Sequence, residues 1–281
     1  MEWFENCACL TATGNCSRDV RTIKQKGKVS LWDGKGVLYM MESKKVVNII
    51  ITSRQMDKIG NITLYNADCM EVMKSFSDKE FDLAIVDPPY GIENAFSKSS
   101  RVAKYGQMES VNDWKPTQEY FKELFRVSKN QIIWGYNHLS DMLPTCKEFL
   151  FWFKHQPVVS YADGELAWTS FTKTARCIDL PYFGTYNADK QRIHPTQKPV
   201  KLYAWILNNY AQPGMKILDT FGGSMSSMIA CHRGGYEATC IEMDKTYYDK
   251  AKKRLQEEVM QGSLFMPNAE QTICETTLNL F

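Results

Sequence analysis

The segment Phe81–Gly91 limits the possible folds of this chain more than any other. Its first six residues form a short apolar run typical of a buried strand, and two prolines and a glycine then end that strand within one turn. Asp87 is left at the carboxyl end of the predicted strand, where open α/β sheets bind their ligands. The sequence therefore predicts an α/β fold with a functional carboxylate at residue 87.

The three residues after Asp87 add further functional groups. Pro88 and Pro89 have no backbone N–H, so their carbonyl oxygens are the polar groups that this turn offers, and Tyr90 adds an aromatic face. A carboxylate, a carbonyl and an aromatic ring together suit a planar ring that carries an exocyclic amino group. The alternative is an ordinary strand-to-loop turn that happens to have this sequence.

Composition narrows the class of protein. With 34 basic and 32 acidic residues, the chain can contact nucleic acid only through local patches. Its nine cysteines show no zinc-site spacing, so we predict no metal site and reduced thiols. The apolar runs are too short to span a bilayer, and the N-terminus lacks a signal-peptide pattern. These features favour a soluble, cytoplasmic protein without a membrane partner.

Strands and helices alternate from residue 61 onward, which predicts a mostly parallel sheet with helices on both faces. We place the main domain at residues 57–260, after an N-terminal extension at 1–56 and before a C-terminal tail at 261–281. Within the extension, Val46–Ile51 fits either a strand or a loosely packed arm, and Met41 is an alternative initiator. The predicted strands are Ile62–Tyr65, Phe81–Val86, Gln131–Gly135, Glu148–Phe153, Glu165–Trp168, Lys216–Asp219 and Gly235–Ile241, and the predicted helices include Glu119–Val127, Leu139–Leu143 and Val200–Tyr210.

Two irregular segments, residues 91–116 and 170–193, are candidates for contact with nucleic acid. The first contains a basic, serine-rich piece directly after the candidate site, and the second combines basic with aromatic side chains. The alternative for both is an ordinary surface loop.

The segment from Lys216 to Glu242 has the pattern of a nucleoside-binding unit. A buried strand leads into the glycine turn Thr220–Ser227, then into a helix and a second strand that ends in Glu242. Paired glycines let a ligand approach the backbone, and a carboxylate about 20 residues after the turn is placed to accept from ribose hydroxyls. Because the full dinucleotide fingerprint is missing, S-adenosylmethionine fits better than a nicotinamide dinucleotide. Asp68 either accepts from such a ligand or caps the following helix.

Three motifs resemble those of DNA amino-methyltransferases, the N-4/N-6 DNA methylase family. They are Asp87–Tyr90 (Asp-Pro-Pro-Tyr), His194–Pro199 (His-Pro-Thr-Gln-Lys-Pro), and the segment Asp219–Ser227 together with Glu242. The catalytic motif precedes the cofactor motif, which resembles the permuted β group found in bacterial modification systems and phages. The resemblance extends over residues 61–255.

The resemblance implies a Rossmann-like methyltransferase fold, with a seven-stranded, mostly parallel sheet that has one antiparallel strand. It implies methyl transfer from S-adenosylmethionine to the N6 amino group of an adenine flipped out of double-stranded DNA. Cytosine N4, RNA or a protein amide are alternative targets, and a catalytically weak cofactor-binding relative is a further alternative. A second copy of the chain, in a homodimer, and a cognate restriction nuclease are both possible partners.

The resemblance also assigns residues to roles. It puts Asp68 near the cofactor adenine, and Thr196 and Lys198 near the methionine end. Met225 departs from the family, which usually has glycine at this position. The catalytic residues so implied are Asp87, Pro88, Pro89 and Tyr90, and the cofactor-binding residues are Asp68, Thr196, Lys198, Asp219, Phe221, Gly222, Gly223, Ser224 and Glu242.

Overall fold

The computed structural model describes residues 21–25, 28–32, 38–42, 45–49, 55–91, 114–156, 162–182, 189 and 192–264. The chain forms two compact units, one ending at Gln55 and the other beginning at Met56. No helix among the described residues is long and apolar enough to cross a bilayer.

The described part of the first unit is an antiparallel four-stranded meander. Its strands are β1 (Arg21–Gln25), β2 (Lys28–Trp32), β3 (Leu38–Glu42) and β4 (Lys45–Ile49), in that order across the sheet. Strand β4 lies in the segment for which the sequence allowed a strand or a loose arm. Met41 lies in β3, opposite Val29 and Val46, so a chain that began at Met41 would lack β1, β2 and the first three residues of β3.

A nine-stranded sheet forms the centre of the described part of the second unit. Its strands are β5 (Gln55–Ile59), β6 (Ile62–Asn66), β7 (Phe81–Val86), β8 (Ser128–Trp134), β9 (Phe149–Phe153), β10 (Gly164–Thr169), β11 (Arg176–Asp179), β12 (Lys216–Asp219) and β13 (Glu237–Glu242). Across the sheet their order is β11-β9-β10-β8-β7-β12-β13-β6-β5.

Strand pairing confirms the predicted mostly parallel, Rossmann-like sheet. Strand β7 pairs in parallel with β8 and β12, and β13 pairs in parallel with β12 and β6. Strand β10 is antiparallel to both of its neighbours, β8 and β9. The seven strands from β9 to β6 therefore include the one antiparallel strand expected, and β11 and β5 add a strand at each edge.

Helices connect these strands in the described part of the second unit. They are α1 (Cys69–Met73), α2 (Gln118–Val127), α3 (Tyr136–Leu139), α4 (Val200–Tyr210), α5 (Ser226–Arg233) and α6 (Lys245–Leu264). Thr117 caps α2 by accepting a hydrogen bond from the Tyr120 N–H at 3.4 Å, as a threonine before an amphipathic run predicts. The predicted domain end at residue 260 lies inside α6.

Two elements differ from the sequence-based prediction. The helix expected at Leu139–Leu143 instead lies at Tyr136–Leu139, because Gly135, with a φ of +79°, turns the chain into α3 directly after β8. The irregular segment 170–193 contains β11, which the sequence did not predict. Only Ile178 of its four side chains is buried, so this edge strand lacks a recognisable alternation.

The residues of β7 show how the sheet divides the core. Leu83 and Ile85 belong to one cluster of buried apolar side chains, whereas Ala84 and Val86 belong to a second. Successive side chains of a strand point to opposite faces, so the two clusters lie on the two sides of the sheet. Burial on both sides explains why β7 is almost continuously apolar.

Candidate active site

The catalytic and cofactor motifs meet where the strand order of the sheet reverses. The sheet continues from β7 to β8 in one direction and from β12 to β13 in the other. Leu218 of β12 lies opposite Ala84 of β7, so these neighbouring strands reach their carboxyl ends almost level. Open parallel sheets bind ligands in the crevice at such a reversal. Asp87, after β7, and the glycine turn, after β12, therefore border one crevice.

Asp87 is held by a different side chain on each carboxylate oxygen. Its Oδ1 accepts a hydrogen bond from the Tyr90 hydroxyl, and its Oδ2 accepts one from the Lys198 ammonium group. Lys198 Nζ also donates to the Tyr90 hydroxyl oxygen at 3.4 Å. Since a carboxylate has about four acceptor positions, Asp87 can still accept from a ligand.

Alternating charges continue from Asp87 into the protein. Lys198 Nζ lies 3.0 Å from Glu165 Oε2 on β10, and Lys154 pairs with the other oxygen of Glu165. Burial would lower the pKa of Lys198, but Asp87 and Glu165 raise that pKa above its usual value. Burial likewise opposes ionisation of Glu165, yet Lys198 and Lys154 bring its pKa down to about 2. Lys198 and Glu165 are therefore both charged at neutral pH.

The Tyr90 ring is fixed by its neighbours. Gly135 approaches so closely that a Cβ at this position would lie 2.1 Å from a Tyr90 ring carbon, so a side chain does not fit. The His138 ring stacks against Tyr90 with a centroid distance of 5.2 Å and an angle of 15° between the planes. Burial, and then the charge of Asp87, raise the pKa of Tyr90 well above its usual value. The phenol therefore stays protonated and donates to Asp87.

The glycine turn lies close to β13 and leaves backbone accessible. A Cβ on Gly222 would lie 2.4 Å from Cys240 Sγ, so Gly222 allows this close packing. Gly223 has a φ of +48°, and its N–H donates to Glu242 Oε2 at 2.7 Å. A Cβ on Gly223 would come no closer than 3.7 Å to the described atoms, the nearest belonging to His194. Space therefore remains beside Gly223, where a ligand can approach.

Asp219 stabilises the turn from inside the protein. Its Oδ1 accepts from the Phe221 N–H at 3.0 Å and its Oδ2 from the Ser227 hydroxyl at 2.5 Å. Burial raises the pKa of Asp219 to about 7. The Phe221 ring packs against Tyr120 with a centroid distance of 5.2 Å. In the described structure Asp219 thus shapes the turn, and its contact with a cofactor stays a prediction.

The far side of the turn is connected to α6. Arg254 donates to the Ser224 carbonyl at 2.8 Å and to the Ser226 hydroxyl at 3.0 Å. The same guanidinium donates to Asp189 at 2.8 Å, and Asp189 also accepts from the amide of Gln197 in the His-Pro-Thr-Gln-Lys-Pro motif at 3.1 Å. Arg254 therefore links the cofactor turn to the segment that carries this motif.

His194 lies beside Gly223 and is neutral at pH 7. Burial, and then the charge of Lys198, lower the pKa of His194 to about 4. Its Nδ1 accepts from the Thr196 N–H at 3.4 Å, which leaves the ring proton on Nε2, and the Thr196 hydroxyl lies 3.1 Å from the same Nδ1. Thr196 therefore orients His194 next to the glycine turn.

Met225 has a backbone conformation that suits glycine. Its φ is +54° and its ψ is +30°, and its N–H donates to the Gly222 carbonyl at 2.6 Å. Its side chain is fully buried in the core. The chain therefore combines left-handed backbone strain with apolar burial at the position where the related family usually has glycine.

We expect Met225→Ala to be less stable than Met225→Gly. Both variants lose the buried side chain. Alanine in the left-handed conformation costs about 1–2 kcal/mol of strain that glycine does not have. Alanine stabilises the protein relative to glycine by only about 0.4–1 kcal/mol, through the lower entropy of its unfolded chain, so the strain is the larger effect. Urea unfolding measures the two free energies. Met228, also fully buried but within α5, is the control, and there alanine should be more stable than glycine. If alanine and glycine have the same order of stability at both positions, the strain assigned to Met225 is contradicted.

Residues 128–253 match the sequence model of a family described as DNA methylase. This segment is therefore similar in sequence to DNA methylases. It includes Glu165, the His194–Pro199 motif and the glycine turn, whereas Asp87 precedes it along the chain.

Relatives extend the similarity beyond residues 128–253. YubD of Escherichia coli (strain K12) is 24% identical over 225 residues, which cover 72% of this chain and 96% of YubD. The type II methyltransferase M2.MboI of Moraxella bovis is 24% identical over 245 residues, which cover 70% of this chain and 88% of that enzyme.

Solved structures with similar chains include a complex with SAM and a DNA methyltransferase. The M1.HpyAVI–SAM complex is 22% identical, with a TM-score of 0.48, and the match covers 69% of this chain and 98% of that one. The cytosine-N4-specific PvuII DNA methyltransferase is 14% identical, with a TM-score of 0.48, and the match covers 78% of this chain and 92% of that one.

The structure places the predicted site residues in two groups. Asp87 and Tyr90 are in contact, with Pro88 and Pro89 between them in sequence, and Lys198 contacts Asp87. Contact between Lys198 and the methionine end of a cofactor stays a prediction. The second group lies on the cofactor side. The turn after β12 contains Phe221, Gly222, Gly223 and Ser224, and β13 ends in Glu242. Asp219 lies inside this turn and Thr196 lies near it.

Asp68 caps a helix, one of its two predicted roles. Its carboxylate accepts from the Met70 N–H at 2.7 Å at the start of α1. Contact between Asp68 and a cofactor adenine stays a prediction. The residues that the sequence did not single out for the site are Lys154, Glu165, His138 and Arg254, and His194 was named only as the start of a motif.

Proposed function

We propose that this protein is a DNA methyltransferase that transfers a methyl group from S-adenosylmethionine to the N6 amino group of adenine. The observation that carries the proposal is the crevice between β7 and β12, which has an amino-group acceptor on one side and a glycine turn with a carboxylate on the other. The match of residues 128–253 to the DNA methylase family model and the similarity to M2.MboI support the same class of reaction.

The residues of the cofactor side fit S-adenosylmethionine. Gly222 brings the turn against β13, and the backbone beside Gly223 has room for the polar methionine end of the cofactor. Glu242 already accepts from the Gly223 and Asp244 N–H groups, at 2.7 and 2.8 Å, and its remaining lone pairs can accept from ribose hydroxyls. Phe221 would contribute an aromatic surface. When bound, the cofactor supplies a methyl group on a sulfonium.

The catalytic side would hold the target amino group. The amino nitrogen of adenine is a poor nucleophile because its lone pair is delocalised into the ring. Hydrogen bonds accepted by Asp87 and the Pro88 carbonyl would return electron density to that nitrogen as the new bond to carbon forms. One amino proton must then leave, either to Asp87 or to water. Tyr90 would provide the stacking surface for the flipped base.

Adenine is preferred over cytosine, the second candidate, because of the residue at position 87. The resemblance to the related family associates aspartate at this position mainly with adenine targets and serine with cytosine N4. A carboxylate also accepts a stronger hydrogen bond than a hydroxyl group does. Incubating the purified full chain with DNA and S-adenosylmethionine, and identifying the methylated nucleoside by mass, tests this proposal; the expected product is N6-methyladenine.

A further inference from the structure

We propose that Lys198 and Glu165 are positioning residues for Asp87, with Lys198 acting by direct contact and Glu165 acting through Lys198. The inference rests on the proposed methyl transfer, because Asp87 is the group that would hold the target amino nitrogen. The inference assigns Lys198 to the catalytic side of the crevice and makes Glu165 the residue that positions Lys198.

Lys198 is the point at which three parts of the chain converge. Asp87 and Tyr90 come from the turn after β7, Glu165 comes from β10, and Lys198 itself lies just before α4. Its side chain is only 5% exposed, and its ammonium group contacts both carboxylates and the Tyr90 hydroxyl. An ammonium group buried among these partners has little freedom to contact other groups.

These contacts determine how Asp87 can present its lone pairs. Lys198 holds Oδ2 and Tyr90 holds Oδ1, so the carboxylate plane is fixed before a substrate enters. The remaining acceptor positions of Asp87 then point in set directions, which a target amino group can meet without reorganisation of the site.

Glu165 controls how strongly Lys198 attracts Asp87. At 3.0 Å from Nζ, it shares the positive charge of Lys198, and Lys154 balances Glu165 from the other side. In a variant with glutamine at residue 165, the charge of Lys198 would be directed mainly at Asp87. Asp87 would then be a weaker acceptor for the amino group, and methyl transfer would slow although Asp87 itself is unchanged.

The test compares Glu165→Gln with Glu148→Gln in the full chain. Glu165 lies on β10 and Glu148 lies just before the neighbouring strand β9, but the antiparallel pairing of these strands puts Glu148 at the opposite end of the sheet. Buried Glu148 accepts from the Tyr210 hydroxyl at 2.6 Å and the Lys173 N–H at 2.8 Å, outside the Asp87 group. We expect Glu165→Gln to lower kcat for DNA methylation about 10- to 100-fold, as loss of an orienting hydrogen-bond partner does elsewhere. Dissociation constants for S-adenosylmethionine should change less than twofold, and Glu148→Gln should keep the wild-type kcat.

A double variant separates positioning from a general structural effect. If Glu165 acts through Lys198, Glu165→Gln should cause no further loss of kcat in a Lys198→Met background. The inference would be overturned if the losses of kcat in the two single variants multiply in the double variant. It would also be overturned if Glu165→Gln and Glu148→Gln lose kcat equally, or if Glu165→Gln keeps the wild-type kcat. A Lys198→Met variant that loses cofactor affinity and keeps kcat would overturn it as well. A wild-type chain that does not methylate DNA would instead refute the proposed function.

Discussion

Replacing Asp87 with alanine is expected to reduce kcat for methyl transfer at least about 100- to 1,000-fold, the loss seen when one preorganised hydrogen-bonding group is removed from a transition state. The amino group would lose its charged acceptor. Lys198 would keep Glu165 as a partner, 3.0 Å away, so the variant should fold. Affinity for S-adenosylmethionine should be retained because the proposed cofactor contacts follow β12 and β13. Single-turnover methylation and cofactor titration measure the two effects.

Asp82→Ala is the matched control for this experiment. Asp82, a partly exposed carboxylate, is the second residue of the same strand. It pairs with Lys129 at 2.7 Å and accepts from the Lys216 N–H at 2.9 Å. It lies at the opposite end of β7 from the crevice, so its loss should affect stability and leave kcat unchanged. Equal kcat in wild type and Asp87→Ala would contradict the role assigned to Asp87.

Replacing Gly223 with valine is expected to weaken S-adenosylmethionine binding at least 100-fold, which corresponds to about 2.7 kcal/mol. A Cβ at Gly223 would meet no described atom closer than 3.7 Å, so the protein itself accommodates the added carbon. The side chain would instead occupy the space proposed for the cofactor. Titration of the cofactor by calorimetry measures the change.

Gly235→Val controls for the backbone strain of the Gly223 variant. Gly235 also has a positive φ, +72°, and a Cβ there would have no neighbour within 4 Å, but it lies before β13 at the other end of the strand from Glu242. This variant should lose stability and retain cofactor affinity. If both valine variants bind S-adenosylmethionine as wild type does, the glycine turn is not the cofactor site.

Features set by local sequence were predictable. The apolar run Phe81–Val86 and the prolines after it define a strand and its end, so the place of Asp87 follows from neighbouring residues. The same holds for the strand before Asp219 and for Glu242 at the end of β13. Parallel pairing then brings these strand ends to one edge of the sheet, as the alternation of strands and helices indicates.

Contacts between distant segments were not predictable from local patterns. Lys198 and Asp87 are 111 residues apart, and no local spacing indicates that they pair. Glu165 lies on an antiparallel strand whose pattern is that of any half-buried strand, so its partner is defined only by the tertiary fold. The strain at Met225 is visible only in its backbone angles, although the departure from the family's glycine had marked that position.

The central claim is that the crevice between β7 and β12 transfers a methyl group to adenine N6. The most direct test is to incubate the purified chain with unmethylated double-stranded DNA and isotopically labelled S-adenosylmethionine, digest the DNA to nucleosides and identify the labelled product by mass and chromatography. Our account predicts labelled N6-methyladenine with wild type and almost none with Asp87→Ala. Labelled N4-methylcytosine alone, or equal N6-methyladenine with both proteins, would contradict it.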